Sequence, residues 1–432
     1  MSLPPAQRSD TVDTVSAQPT SRRSTGRRFF GRWRHTRRPP QEPEEGPLAK
    51  PVAVPTAKPV AAPQAEPVAA PQAEPVAIWS ELGSLSSSTA DSRSPTVASA
   101  LDGTVHVLWE EGEEIYHSYR SDDFWSTPLR VATGERPSLV VDDEGTPHVL
   151  FANEFGGNWE VYYVSWRYDV WSLPRNVSHT SGASGPPRIA LAPDGTLHGV
   201  WADTTPGYSV IYYARQMGSY WVNNQIPSAR GSVPALAVDR QGRVHVTWQA
   251  QDTPFSVFDV YYTRWDGSDW SLPENISVNE ESHSAICSLA TDTEGTAYLV
   301  WEEQVEGLWQ VVHSYGQVGY WSVPANISHS GEECHLPRIV VTPQDYLHVI
   351  WNEGQALHSC RKGAKSSDWF PNEVVTSNSL GVEDVAVAAS PGGGLHAVWE
   401  GRVAGGLRDI FHGERPPALR HEVFVPLTMR KA

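Results

Sequence analysis

Two series of aromatic residues run through this chain in different registers, and together they define a repeat of about 48 residues. The first series, six tryptophans and one phenylalanine, ends a D-x-x-G-x-x-H-V-x-W pattern at Trp109, Phe151, Trp201, Trp248, Trp301, Trp351 and Trp399. The second series opens a W-S-x-P pattern at Trp79, Trp125, Trp171, Trp221, Trp270, Trp321 and Trp369. Each series has seven members, so the sequence predicts seven copies of one structural unit.

Other residue types recur at fixed distances before the first-series aromatic. Proline recurs fourteen positions earlier, at Pro95, Pro137, Pro187, Pro234 and Pro337. Histidine recurs three positions earlier, with Tyr298 as the exception, at His106, His148, His198, His245, His348 and His396. A residue present in six of seven units serves every unit rather than one active site. We therefore expect these histidines, like the first-series tryptophans, to be structural, packed between neighbouring units with their ring nitrogens hydrogen-bonded.

Each unit is predicted to form four short strands. In the fourth unit they cover 235–238, 244–248, 260–264 and 270–273, and Asp-Gly turns separate the first from the second and the third from the fourth. Seven four-stranded units predict an all-β, seven-bladed β-propeller. A linear solenoid would need capping repeats. This chain instead begins with an unpartnered second-series residue and ends with an unpartnered first-series residue, so its N-terminal strand should complete the last blade.

Composition divides the chain into three parts. Residues 1–77 lack hydrophobic periodicity and become rich in Pro and Ala from residue 39, which predicts a disordered basic tail and linker. Residues 78–415 form the predicted propeller, and 416–432 form a C-terminal tail. The first part holds 11 of the 33 basic and 7 of the 50 acidic residues, so the remainder has 22 basic and 43 acidic residues, a net charge of −21. This excess argues against nucleic acid as a partner of the propeller.

The N-terminal part carries a cluster of arginines around Phe29, Phe30 and Trp33. Such a cluster could make weak contact with an anionic membrane surface, and a solvated tail is the simpler alternative. No signal peptide or apolar membrane span is visible, although an extracytoplasmic or cell-surface location is favoured. We expect a monomer.

Sequence motifs for metals and cofactors are missing, so neither is predicted. The acidic pairs Glu110-Glu111 and Glu302-Glu303 are expected to form a solvated rim. Cys287 and Cys334 could form one disulfide between neighbouring blades, and buried free thiols are equally compatible with their positions.

The repeat pattern resembles that of bacterial sialidase-like propellers, whose units are related to the BNR or Asp-box repeat. The resemblance covers residues 78–413, although the strict Ser-x-Asp-x-Gly-x-x-Trp box is degenerate in every unit. It implies a propeller fold and, for a sialidase, three arginines on the substrate carboxylate, an Asp acid/base and a Tyr–Glu pair. Arg188 and Arg338 follow the repeat proline in the third and sixth units, where two such arginines would lie, and no other unit has arginine at that position.

Framework residues explain the fold without specifying a reaction, so the sequence favours a non-catalytic module that binds a glycan or a protein. The alternative is a sialidase-like exo-glycoside hydrolase that uses Arg188 and Arg338. Aromatic residues outside the repeat pattern are the candidates for sugar contacts. They are Trp159, Tyr168, Tyr208, Tyr220, Phe255, Trp265, Trp309 and Tyr320.

Overall fold

The computed structural model describes residues 79–122, 124–253, 256–278, 281–376, 381–403 and 406–417. The predicted tail and linker, Phe255 and most of the C-terminal tail lie outside these ranges. The described residues form 31 strands in seven antiparallel sheets, which confirms the predicted seven-bladed β-propeller. They include no helix that could cross a membrane.

Blades 1 to 4 follow one another along the chain, each with its first strand innermost. Their strands are β2 (Ser92–Ser99), β3 (Val105–Glu111), β4 (Glu114–Ser121), β5 (Phe124–Trp125) and β6 (Leu129–Thr133) in blade 1; β7 (Glu135–Val141), β8 (Pro147–Phe155), β9 (Asn158–Arg167), β10 (Val170–Trp171) and β11 (Arg175–Asn176) in blade 2; β12 (Arg188–Leu191), β13 (Leu197–Asp203), β14 (Val210–Met217) and β15 (Tyr220–Arg230) in blade 3; and β16 (Ser232–Val238), β17 (Val244–Ala250), β18 (Asp259–Trp265) and β19 (Glu274–Asn275) in blade 4.

Blades 5 to 7 complete the ring, and blade 7 takes its outermost strand from the N-terminal end of the propeller. Their strands are β20 (Ser284–Thr291), β21 (Ala297–Val305), β22 (Leu308–Gln317), β23 (Tyr320–Trp321) and β24 (Ala325–Asn326) in blade 5; β25 (Cys334–Val341), β26 (Tyr346–Glu353), β27 (Ala356–Gly363) and β28 (Glu373–Thr376) in blade 6; and β29 (Val382–Ala389), β30 (Leu395–Arg402), β31 (Arg408–Arg415) and β1 (Ser80–Ser84) in blade 7.

Closure of the ring occurs through β1, which pairs antiparallel with β31. Ser80 lies opposite Glu414, and Ser84 lies opposite Phe411. The Leu85 N–H donates to the Ile410 carbonyl at 2.7 Å and extends this pairing beyond the strand. The two ends of the propeller therefore complete one sheet, as the offset of the two aromatic series predicts.

A tight turn joins the first and second strands of each blade, and in blades 2, 4 and 5 it has the sequence Asp-x-x-Gly, beginning at Asp142, Asp239 and Asp292. The glycine of this turn has a positive φ, for example 79° at Gly145 and 75° at Gly242. Asp345 replaces glycine in the sixth unit and keeps the left-handed conformation with φ 59°, which Asp tolerates better than most residues.

First-series aromatics form the centre of the packing between blades. Trp109, Trp201, Trp301 and Trp351 are completely buried, and Trp399 is 3% exposed. Each hydrophobic cluster combines side chains of two adjacent blades. One joins Leu150 and Val161 of blade 2 to Ile189, Leu197 and Trp201 of blade 3. Burial of these large rings on both blades supplies most of the cohesion between neighbouring sheets.

Second-series tryptophans contact the preceding blade edge-on. The Trp171 ring lies 5.2 Å from the His117 ring, and the Trp321 ring lies 4.7 Å from the Tyr262 ring, both in T-shaped geometry. Trp221, Trp270 and Trp369 make the same contact on Tyr163, Tyr213 and His313. In the closing blade, Trp79 Nε1 donates to Ser359 Oγ at the equivalent place, at 3.3 Å.

Repeated histidines lie beneath these aromatic contacts. His198 Nδ1 lies 2.7 Å from the Tyr213 hydroxyl, and His245 Nδ1 lies 2.8 Å from the Tyr262 hydroxyl. His245 Nε2 also lies 3.0 Å from an Asp239 carboxylate oxygen at the Asp-x-x-Gly turn. The imidazole thus links the turn to the third strand of its own blade, and the third strand carries the ring that the next blade contacts.

Removing the aromatic side chain at the closure should destabilise the propeller. Trp79 is 7% exposed and packs with buried residues of blades 6 and 7. We expect Trp79→Ala to lower the free energy of unfolding by about 3 kcal/mol, because it leaves a cavity between blades. Tyr168→Ala, at a side chain that is 96% exposed, is the control and should change it by less than about 0.5 kcal/mol. Urea unfolding measures both values, and equal losses would contradict the closure.

Acid should destabilise the fold through the buried histidines. Burial lowers the pKa of His198 from 6.5 to about 4, with Asp194 opposing the shift. This histidine is neutral in the native state, whereas in the unfolded state it takes up a proton as the pH falls below 6.5. It therefore removes about 1.4 kcal/mol of stability per pH unit between the two pKa values, and nothing above them.

The stability cost of His198→Asn should consequently be smaller at pH 5 than at pH 7.5, by about 2 kcal/mol. His179→Asn changes an exposed histidine and should show the same small effect at both pH values. Urea titrations at the two pH values test this. A His198→Asn cost that does not change with pH would mean that folding does not lower the pKa of His198.

Candidate functional site

A cavity lies where the first strands of all seven blades begin. Antiparallel pairing places the start of each first strand beside the end of the second strand and the start of the third, and we call this side of the propeller the cavity face. The cavity has a volume of about 490 Å³. Its wall includes Thr96, Arg188, Pro234, Cys287 and Ala386, one each from blades 1, 3, 4, 5 and 7. Every blade contributes to the wall, so unlike residues can meet here.

Backbone irregularities surround this cavity. The residue before the repeat proline has a positive φ in several blades, including 53° at Arg136 and 51° at Val233. Ile286, which precedes Cys287 at the same position of blade 5, has a φ of 47°. The sheet register shifts at the same places, which marks a β-bulge. A left-handed conformation is costly for β-branched Val and Ile, and such strain concentrates at functional sites. Proline fits at these bulges because it has no N–H to donate.

Polar side chains that directly follow the first-series tryptophan hold these bulges in place. Glu110 accepts a hydrogen bond from the Arg136 N–H of the next blade. Glu302 accepts from the Leu336 N–H at 2.6 Å, and Gln249 accepts from the Ile286 N–H at 3.1 Å. The expected solvated rim is therefore wrong at both glutamates: Glu110 is 8% exposed and Glu302 is 5% exposed. Their carboxylates join blades.

Three arginines line the central cavity. Arg188 and Arg338 have the same conformation, in which Nη1 donates to the preceding proline carbonyl at 3.1 and 3.2 Å respectively. Arg136, at the bulge of blade 2, is the third. Arg338 pairs with Asp384 at 3.1 Å. Among the described residues, the guanidinium groups of Arg136 and Arg188 have no carboxylate within ion-pair distance.

Electrostatics around Arg188 favour a bound anion. Burial lowers the pKa of Arg188 to about 10, and the positive charges of Arg338 and Arg136 act in the same direction while Asp384 opposes them. The guanidinium remains a cation at neutral pH, but it lies in a poorly solvated place beside like charges. A carboxylate or sulfate in the cavity would offset this repulsion and accept paired N–H groups.

An acidic groove adjoins the arginines. Its wall shares Arg136 and Asp384 with the central cavity and adds Glu110, Glu135 and Glu400, among others. The groove has a volume of about 310 Å³. It therefore brings several carboxyl groups next to the anion-binding part of the site.

Glu400 has the most altered carboxyl group of this groove. It is 5% exposed, and its Oε1 lies 3.0 Å from Arg408 Nε. Burial and the nearby charges of Glu383 and Asp384 raise the pKa of Glu400 to about 7, although Arg408 opposes the shift. A large fraction of Glu400 is therefore protonated at neutral pH. A carboxyl group in that state can donate a proton to a substrate.

Cysteines do not form a disulfide in this structure: Cys287, Cys334 and Cys360 are free and buried. Cys287 lies at the cavity wall, where burial raises the pKa of its thiol to about 11. The neutral thiol is a poor nucleophile at physiological pH, so the cavity does not present an activated cysteine.

The eight candidate aromatics do not form one site. Trp159 and Trp309 begin the third strands of blades 2 and 5, and Tyr208 precedes the third strand of blade 3, so these three lie on the cavity face. The other described candidates lie at or just after the ends of third strands, on the opposite face, and they are Tyr168, Tyr220, Trp265 and Tyr320. Phe255 lies outside the described residues.

Trp159 is the candidate nearest to the cavity. It lines a smaller pocket of about 270 Å³ that shares Pro186 and Ala202 with the central cavity and Glu135 with the acidic groove. On the opposite face, the Trp265 ring lies 6.0 Å from the Tyr213 ring and under the Arg215 guanidinium at 5.4 Å, as expected of a packing residue.

Sequence reasoning found two of the three arginines and missed Arg136 and Glu400. Arg136 precedes the repeat proline, whereas Arg188 and Arg338 follow it. Arg136 lies at the bulge of blade 2, and in the folded chain it lines the same cavity as the other two. Glu400 belongs to a repeated position directly after the first-series tryptophan. Five units carry a polar residue at that position and two carry alanine. A comparison of the units at this position could therefore have identified Glu400 as a candidate from the sequence.

Comparisons with known proteins show a shared fold. The sequence matches no protein-family model and no curated protein. An ulvan lyase, described as a new family of polysaccharide lyase and bound to -[GlcA(1-4)Rha3S]-, is similar in structure with a TM-score of 0.57 and 12% identity, over 77% of this chain and 95% of that chain. The polysaccharide lyase Uly1 has a TM-score of 0.53 and 10% identity, over 78% and 91% of the two chains. The intramolecular trans-sialidase from Ruminococcus gnavus has a TM-score of 0.44 and 11% identity, over 78% and 98%.

These comparisons correct the predicted function. A non-catalytic binding module was expected, and that prediction is wrong, because the similar structures with a named activity and a TM-score above 0.5 are polysaccharide lyases, which are enzymes. The alternative prediction, a sialidase-like exo-glycoside hydrolase, agrees better with them than the binding module does. Identities of 10–12% extend to the fold alone, so the reaction has to be argued from the side chains of the cavity. The chain is similar in fold to these polysaccharide lyases.

Proposed function

We propose that this protein is a carbohydrate-processing enzyme that acts on a carboxylate-bearing sugar in the central cavity. The observation that supports this most directly is the set of three arginines, two of which have no carboxylate partner among the described residues. In residues 78–432, whose net charge is −21, unpaired guanidinium groups at one cavity select an anionic group at that cavity. Glycan ligands in the similar structures are consistent with this substrate class.

The substrate carboxylate would lie between Arg188 and Arg338. Each guanidinium group is fixed by the carbonyl of the preceding proline, and that of Arg338 also by Asp384. Their remaining N–H groups can donate to the two carboxylate oxygens. Arg136 would add a third positive charge from the bulge of blade 2. Fixed donors in a poorly solvated cavity bind and orient an anion with little loss of side-chain entropy.

Glycoside hydrolysis is the reaction that the neighbouring carboxyl groups fit best. Protonated Glu400 would donate its proton to the glycosidic oxygen as the bond from that oxygen to the sugar breaks. A second carboxyl group of the same groove, such as that of Glu110, would stabilise the positive charge that develops on the sugar or activate water. A pair of carboxyl groups in unlike environments is the arrangement that separates the acid from the base.

The resemblance to sialidases does not extend to the whole catalytic set. A sialidase would use a Tyr–Glu pair, and no tyrosine lines the described part of the central cavity. We therefore propose the carboxylate-binding arginines and the acid Glu400, without a tyrosine nucleophile.

Elimination is a second candidate reaction, favoured by the arginines themselves. Neutralising a uronate carboxylate makes the adjacent C–H more acidic. Removal of that proton is the step that a polysaccharide lyase must assist. Hydrolysis adds one water to its products, whereas elimination leaves an unsaturated sugar that absorbs ultraviolet light. Mass and absorbance of the products from sialosides, glucuronides and ulvan therefore distinguish the two reactions. Absence of product from every carboxylated glycan would contradict the proposed function.

Arg188→Lys should weaken use of carboxylated sugars by ten- to a hundredfold in kcat/KM, because lysine cannot make the paired hydrogen bonds of the guanidinium. Arg215→Lys is the matched control, since Arg215 packs on Trp265 at the opposite face. Steady-state kinetics on the best substrate measures both. Equal effects of the two variants would exclude Arg188 from the substrate site.

Glu400→Gln should lower kcat by about a hundredfold or more, because glutamine cannot donate the proton. In the unchanged protein, activity should fall roughly tenfold per pH unit above the Glu400 pKa of about 7, since only the protonated form acts as the acid. Glu302→Gln changes the equivalent residue of blade 5, outside the cavity wall, and should keep both rate and pH profile. An unaltered alkaline limb in Glu400→Gln would reject Glu400 as the acid.

A further inference from the structure

We propose that the pocket beside Trp159 is a second sugar subsite that binds the uncharged neighbour of the acidic sugar. This inference rests on the proposed function of the central cavity and specifies its substrate further. The pocket and the cavity share Pro186 and Ala202, so an oligosaccharide could occupy both. The substrate would then be an acidic sugar linked to a neutral one, recognised as a pair.

The side pocket exists because two blades depart from the repeat. Five blades carry Glu, Gln or Asn directly after the first-series tryptophan or phenylalanine, and several of these side chains reach the next blade. Blades 2 and 3 carry Ala152 and Ala202 there instead. Both alanines line the side pocket. Because these two blades lack the longer side chain, a space opens between the central cavity and the loop at 183–186.

The chemistry of the pocket suits a neutral sugar ring. Trp159 is half-buried and supplies one aromatic ring, and a sugar presents C–H groups that pack on such a ring. Gly185, Pro186 and the alanines add a small apolar floor, while Ser209 and Thr204 offer hydroxyl groups. Glu135 is the only ionisable residue among those that line it, so a second anionic sugar would meet no cation there.

The loop that forms the far wall is fixed before any ligand binds. Ser184 is 1% exposed, its N–H donates to the Trp159 carbonyl at 2.8 Å, and its hydroxyl donates to Asp203 at 2.9 Å. Thr180 donates to the same Asp203 carboxylate at 2.8 Å. This network attaches the loop to β9 of blade 2 and to β13 of blade 3. Ordering this wall on ligand binding therefore costs little conformational entropy.

The test compares acidic monosaccharides with acidic disaccharides. The probes are N-acetylneuraminic acid and glucuronic acid, and their partners are sialyllactose and a glucuronic acid–rhamnose disaccharide. Affinities are measured by calorimetry with the full chain, in a Glu400→Gln background so that the disaccharides stay intact. We expect at least one disaccharide to bind roughly tenfold more tightly than its acidic monosaccharide, because the second ring adds the contact with Trp159.

Two variants remove the side pocket in different ways. Trp159→Ala deletes the aromatic surface. Ala152→Gln restores the kind of side chain that blade 4 has at Gln249 and should fill the opening, and Ala152 lines the side pocket but not the central cavity. Both should abolish the tenfold advantage of the disaccharide and leave monosaccharide affinity within about twofold. Trp309→Ala is the matched control, since Trp309 is also the second residue of a third strand but lies near His335, away from this pocket. It should keep the advantage.

The outcomes separate this inference from the proposed function. If the monosaccharides bind but the disaccharides bind no more tightly, or if both pocket variants keep the advantage, the subsite is rejected and the central cavity stands. If no acidic sugar binds the unchanged cavity, the proposed function fails and the subsite fails with it. Thermal unfolding of each variant establishes whether it is folded. If Trp159→Ala does not fold, Ala152→Gln provides the test of the subsite.

Discussion

The rest of this propeller depends on one aromatic contact between blades. In it, the second-series tryptophan of one blade packs against the third-strand aromatic of the blade before it. The tryptophan meets His117, Tyr163, Tyr213, Tyr262 or His313 edge-on, at 4.7–5.4 Å. Beneath that ring, a repeated histidine or tyrosine is hydrogen-bonded to the aspartate of the turn in blades 2, 4 and 5. Each blade is therefore positioned by its predecessor through aromatic packing that resists sliding, and β1 extends the same geometry to the last blade.

A framework of this kind leaves a few positions at the cavity face free to differ. The side chain after the first-series aromatic and the residues on either side of the repeat proline take part in bulges rather than in regular pairing. Where the former is Glu or Gln, it hydrogen-bonds the neighbouring bulge and closes the space between blades. Where it is Ala152 or Ala202, the space opens. Positive φ at Val233 and Ile286 stores strain that the ring of blades must overcome, which fits a site organised in advance of its ligand.

Much of the fold was predictable because its determinants recur. Trp109, Trp201 and their equivalents repeat with the turn glycines, and the unpartnered ends of the two series predict the closing strand. The candidate site was less predictable because its residues occur once. Arg188 and Arg338 could be found by their shared register, but Arg136 belongs to a different register, and Glu400 gains its role from burial beside Glu383 and Asp384. The expected non-catalytic function failed for the same reason, since repeated residues report on the scaffold.

The sequence by itself determined the number of blades, the strand order, the closure and the structural place of the repeated histidines and tryptophans, because each follows from periodic patterns of local turn chemistry and burial. The tertiary structure alone decided which single residues meet. It divided the candidate aromatics between two faces, brought Arg136, Arg188 and Arg338 from blades 2, 3 and 6 to one cavity, and buried Glu400 beside it. Those groups are separated by up to hundreds of residues along the chain, and only the closing of the ring makes them neighbours.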